Sequence, residues 1–152
     1  MAPDPNVAHT LHLIDTALRT LGPFCLADEQ VFALDKERSA PFYHRYVLVN
    51  PRPTYLMAWF EVATGGTGFY LDRSTEIPEW SYERIRDNPD AFQDEIRVLF
   101  ASPILVEHQG TRTVLRLFGA DGGQLRQFTF IQGVALNFLQ KSRFMLYPPL
   151  FS

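Results

Sequence analysis

A chain of 152 residues with a formal net charge of −3, 46% hydrophobic and 20% charged residues can bury one self-supporting core and is too apolar to be disordered. Its acidic balance argues against general nucleic-acid binding, which rests on neutralising phosphates. The single cysteine, Cys25, excludes an intramolecular disulfide framework and a cysteine-based zinc cluster, and suits a reducing compartment.

No basic residue precedes Arg19, and no stretch approaches the ~18 apolar residues of a membrane span. The expectation is a cytoplasmic protein with no membrane segment. The charge is uneven. Residues 1–71 hold five basic and seven acidic groups, 72–97 hold four and eight, and 98–152 hold five and two. Acid therefore concentrates in the middle and base toward the end. The aromatics (13 Phe, 6 Tyr, 2 Trp) favour strands and contact surfaces.

Asp4-Pro5 is a helix start, a capping carboxylate followed by proline in the first turn. Val7, Leu11, Ile14, Leu18 and Leu21 then fall within about 80° of one another on a helical wheel. Gly22-Pro23 stops the helix. His9, His12 and Thr16 lie on the wet face. The apolar pieces 24–26 and 31–34 flank Asp28-Glu29-Gln30 and read as a short hairpin, followed by a charged loop over 35–39.

Residues 42–71 are the most strand-like part of the chain. Two long aromatic-rich segments are separated by Asn50-Pro51-Arg52-Pro53, where two prolines remove ladder donors. Thr64-Gly65-Gly66-Thr67 turns the chain into a third. Bulky groups on both faces of these strands imply that both faces are partly covered. Residues 72–88 are charged, with a short helix expected near 78–86. Asn88-Pro89 repeats the cap-plus-proline signal, and Phe92, Ile96, Leu99 and Phe100 form an apolar stripe that Pro103 ends. Strands are expected over 104–108, 111–118 and 125–132, joined at Gln109-Gly110 and Ala120-Asp121-Gly122-Gly123. Residues 134–141 are read as a helix and 144–151 as an extended apolar tail. The expected fold is one α+β domain: a mostly antiparallel, meander-like sheet of six or more strands covered by two or three helices.

No catalytic motif is present. Gly65-Gly66-Thr67-Gly68 resembles a phosphate loop, but no helix start follows it to supply a dipole. His9 and His12 have metal-compatible spacing without a third ligand. Cys25 sits in an apolar strand rather than at a helix N-terminus that would activate it. No metal or cofactor is expected.

Three groups of residues remain. Glu79, Glu83, Asp87, Asp90 and Asp94 are interleaved with Trp80 and Tyr82, as in a surface that steers and anchors a basic protein; a solvated helix face has the same composition. Arg112 and Arg116 share a strand face, and if the register allows they form a stripe with Arg126 on the next strand for a carboxylate-rich partner or a phosphate; a solvated sheet face has the same composition. His44, Arg45 and Glu61 are polar intruders in apolar strands and would line a pocket in a ligand-binding protein. Glu107, like Glu61, is an acid inside an otherwise apolar strand, marking a pocket or else sitting at a rim or in a salt bridge to Arg45, Arg112 or Arg116. The leading functional expectation is a non-enzymatic protein-binding module, in its concrete form an immunity or inhibitor protein that occludes a basic toxin. Alternatives are a small-ligand binder or enzyme, a secretion-chaperone-like homodimer, and a structural subunit docking through 144–151.

Overall fold

The structure, a computed structural model, describes residues 4–22, 32–34, 44–48, 58–63, 65–72, 77, 79–133 and 136–150. The described residues form an α+β arrangement of three α-helices and nine strands. The strands divide into two antiparallel sheets rather than one.

Helix α1 (Pro5–Leu21) begins where Asp4 accepts a hydrogen bond from the Asn6 amide at 2.9 Å. Its apolar stripe buries Val7, Ile14, Ala17 and Leu18. The first sheet runs β1 (Phe32–Leu34), β2 (His44–Leu48), β3 (Ala58–Ala63), β4 (Gly66–Leu71) and β5 (Trp80–Ser81), in chain order. The first half of the expected hairpin at 24–34, Cys25 included, lies outside the described residues; β1 pairs with β2. Gly66 belongs to β4, opposite Ala63, rather than to the turn alone. It must be glycine, because a Cβ there would sit 2.3 Å from the Trp80 carbonyl oxygen across the β4–β5 pair.

The expected helix at 78–86 is shorter and later. Two residues of β5 precede it, and α2 (Tyr82–Asp87) starts where Ser81 Oγ accepts from the Arg84 amide. Helix α3 (Pro89–Ala101) follows at once and buries Phe92, Ile96, Leu99 and Phe100, as its periodicity requires. Phe92 and Phe100 reach the first sheet. Phe100 meets Phe60 and Phe69 edge-on, and Phe92 packs on Phe69 and Trp80. These ring contacts hold α3 against the inner face of β3 to β5.

The second sheet is β6 (Ile104–Gln109), β7 (Arg112–Phe118), β8 (Gln124–Ile131) and β9 (Arg143–Tyr147), in the order β8-β7-β6-β9. The segment expected as an apolar tail is therefore in part an edge strand, paired with β6. Of the helix expected over 134–141, residues 134 and 135 lie outside the described residues, and the rest forms a 3₁₀ turn at Asn137–Leu139. Ile104, Val106, Leu115, Leu117 and Phe128 on the inner face of the second sheet join the buried cluster that contains α1, α3 and the first sheet.

Candidate functional site

The outer face of the second sheet combines a buried charge cluster with exposed apolar side chains. Directly opposed residues of antiparallel strands share a face. The register therefore sets Phe144, Glu107, Val114 and Thr129 in one row and Leu146, Leu105, Arg116 and Gln127 in the next, with Arg112 and Ile131 paired beyond. At the centre, both terminal nitrogens of Arg116 donate to Glu107 Oε1 at 3.1 Å. Arg112 lies 3.6 Å from Oε2. Ser142 Oγ donates to the same oxygen at 2.7 Å. These contacts, the Ser142 hydrogen bond foremost, hold the Glu107 carboxyl below the usual carboxylate range against the opposing effect of burial. Val114 is fully buried although it faces outward, because the two arginines and Glu107 flank it.

On the same face Ile131, Phe144 and Leu146 are exposed. Every large exposed hydrophobic side chain among the described residues falls between 125 and 146: Leu125, Ile131, Leu136, Phe138, Leu139, Phe144, Met145 and Leu146. Phe138 is 75% and Leu146 66% exposed, the values of side chains that touch little of their own chain. Soluble proteins rarely leave such residues clustered without a use for them.

The arginine stripe expected at 112, 116 and 126 is not formed. Arg112 and Arg116 are together on the outer face, but register pairs Arg126 with Leu117, whose side chain is in the core. Arg126 reaches instead toward α3, 3.3 Å from Glu95. The acidic segment also differs from expectation. Glu79, Glu83, Asp87, Asp90 and Asp94 are exposed, and Asp94 pairs with Arg97 at 2.7 Å. Trp80 and Tyr82 are buried and offer no exposed anchor. Trp80 packs on Phe92 inside, with the Arg84 guanidinium 3.6 Å over its ring. The Tyr82 hydroxyl donates to the Ala63 carbonyl, and burial pushes its pKa up to about 12, with a smaller contribution from the charge of Asp4.

His44, Arg45 and Glu61 do not converge. Arg45 and Glu61 oppose each other on the outer face of the first sheet, whereas His44 opposes Val62 on the inner face. Burial lowers the His44 pKa, and neither ring nitrogen has a hydrogen-bond partner among the described residues. The Arg45 guanidinium lies 4.0 Å over Trp59, which stacks on Tyr70 at 3.8 Å and 6°. Burial raises the Tyr70 pKa, helped by the charge of Glu61 and its hydrogen bond. This is a cross-strand ladder that stiffens the sheet.

Neither of two cavities lined by described residues includes that trio. One, of about 320 Å³, lies among Trp80, Arg84, Glu95, Arg126 and Phe128. The other, of about 550 Å³, is lined by His108, Gly110, Leu139, Gln140, Lys141 and Arg143. Its wall includes a pair that no sequence signal announced: His108 Nε2 lies 2.7 Å from an Asp72 carboxylate oxygen. Asp72 is 36 residues away in sequence. Among the described residues no group of three or more His, Cys, Asp or Glu side chains could hold a metal ion, and no helix is long and apolar enough to cross a membrane. No protein-family model matches the chain, nor does any curated protein or solved structure.

Proposed function

We propose that this is a cytoplasmic, non-enzymatic protein-binding module that docks a partner on the outer face of its second sheet. The observation that carries the reading is that, among the described residues, all eight large exposed hydrophobics fall within 125–146, with Ile131, Phe144 and Leu146 on this face. Covering Phe144, Leu146 and Ile131 would contribute about 1–2 kcal/mol each, enough for such a face to matter in an interface. The central cluster supplies direction. Two arginines face one glutamate, so a partner surface that is apolar with a carboxylate at its middle complements the face. A second copy would set four arginines against two glutamates across a two-fold axis, which disfavours a homodimer through this surface.

The narrower reading, an inhibitor that caps a basic toxin, draws on the exposed acids of 79–94. Its aromatic anchors are buried, so the acids would serve encounter rather than adhesion. The test uses the full chain with a photo-cross-linking residue at position 144 or 146, activated in the native cell. The expected result is one cross-linked protein whose own cross-linked segment is apolar and contains Asp or Glu. Its affinity should fall at least about tenfold for Leu146→Asp, a loss of roughly 1.4 kcal/mol. Cross-links to copies of the chain alone, with a dimer in sedimentation, would assign the face to self-association. No cross-link at either position would remove the proposal.

A further inference from the structure

The inner face of the second sheet ends in an open cavity, and its chemistry is independent of the outer-face docking surface. On β9, Arg143 lies opposite His108 and so on the inner side, while Phe144 and Leu146 point to the outer. We propose that this cavity is a binding site for a small organic anion, a phosphate monoester of metabolite size.

Charge is the first argument. Among the described residues, Arg112, Arg116, Arg126, Arg97 and Arg19 each have a carboxylate within ion-pair distance. Lys141, Arg143, Arg84 and Arg86 have none, and of these Lys141 and Arg143 line the cavity. Among the described residues no carboxylate lines it, and Asp72, attached to the wall from the end of β4, is engaged by His108 at 2.7 Å. Two uncompensated cations beside an imidazole held by hydrogen bonding are a field that a dianionic group would neutralise, with the guanidinium able to take two phosphate oxygens at once.

The second argument is that the cavity is built rather than incidental. Its rim, residues 137–140, is fastened to the β6–β7 turn at three points. The Thr111 amide and hydroxyl both donate to Asn137 Oδ1, at 3.0 and 3.1 Å, and Gln109 Nε2 donates to the Gln140 carbonyl at 3.0 Å. Gly110 takes φ +58 beneath that rim, where a Cβ would come 2.5 Å from Asn137 Oδ1. Asp72 adopts φ +56, a left-handed conformation that aspartate tolerates better than most residues. These bonds tie the rim to the β6–β7 turn. The volume of about 550 Å³ falls in the range of small-molecule sites, and exposed Leu139 offers an apolar seat for the organic part of the ligand.

The test is an amide chemical-shift titration of the full chain with phenyl phosphate, inorganic phosphate and benzoate at constant ionic strength. Saturating shifts at Gly110, Leu139 and Gln140 are expected, tightest for phenyl phosphate. The double substitution Lys141→Gln, Arg143→Gln should weaken binding about tenfold or more, while Arg86→Gln on α2 should leave it unchanged. Both cations of the double variant are exposed, and an unaltered spectrum away from the cavity verifies its fold. Shifts that stay linear, or that persist in the double variant, would overturn the site. Benzoate binding as tightly as phenyl phosphate would overturn its assignment to phosphate.

Discussion

Replacing Glu107 by alanine tests whether the outer-face cluster holds the second sheet together or merely decorates it. The carboxylate accepts from Arg116 and Ser142 and lies within ion-pair range of Arg112. It is itself only 8% exposed. Losing one partner of a buried ion pair costs about 3–5 kcal/mol. Here the two arginine side chains keep 31% and 23% of their surface in water, so they can rehydrate in part, and the expected loss is about 2–3 kcal/mol. Urea denaturation of the wild type, Glu107→Ala and Glu107→Gln at neutral pH measures it. The pH dependence supplies a second check. The folded-state pKa of Glu107 is depressed, so its charge stabilises the fold above the ordinary carboxylate range. That stabilisation is lost as pH falls through the depressed folded value. The gap between wild type and Glu107→Gln should therefore narrow below about pH 4. A Glu107→Ala variant within about 0.5 kcal/mol of wild type at neutral pH, the scatter of ordinary surface substitutions, would refute the reasoning.

Three further outcomes follow from the packing. Gly66→Ala should cost more than about 2 kcal/mol in denaturant unfolding, since the new Cβ meets the Trp80 carbonyl oxygen at 2.3 Å and the β4–β5 pair must open. Phe92→Ala, which empties the junction of Phe69 and Trp80, should cost about 3–5 kcal/mol by the same measurement. Tyr82 should ionise near pH 12 rather than 10. The difference in phenolate absorbance between wild type and Tyr82→Phe should therefore stay flat until the alkaline end. Because the raised pKa favours the neutral form in the fold, Tyr82 contributes stability below pH 10 that is lost as pH rises toward 12.

The parts legible in the sequence are those whose signals are local. Asp4-Pro5 and the stripe through Val7, Ile14 and Leu18 specify α1 with no reference to the rest of the chain. Asn88-Pro89 and the Phe92–Phe100 stripe do the same for α3, although Asn88 makes no side-chain cap bond there and instead ends α2, its amide donating to the Arg84 carbonyl. The strands β6, β7 and β8 are bounded by turn residues a few positions apart. Glu107 was also visible, as an acid in an apolar strand with arginines at hand.

What failed to show depends on distant partners. Trp80 and Tyr82 stand among acids in sequence, yet β5 adds to the edge of β4 and turns Trp80 onto Phe92. The side on which Arg126 emerges is set by the register between β7 and β8, which shifts between Leu117 and Phe118. One residue of slip moves a side chain to the other face. His108 and Asp72 lie in different sheets, and no spacing rule joins them. Lys141 and Arg143 contributed only to the basic excess of the last third of the chain.

The sequence by itself determined the α+β class, both long helices and the hairpins of the second sheet, because backbone propensity, caps and turns act over a few residues. Only the tertiary structure decided that the strands form two sheets and that β9 docks beside β6. It alone placed Arg112 and Arg116 on one face with Arg126 on the other, and left Ile131, Phe144 and Leu146 uncovered on the outer face. These outcomes rest on strand order and register, which are fixed by which distant surfaces bury each other best.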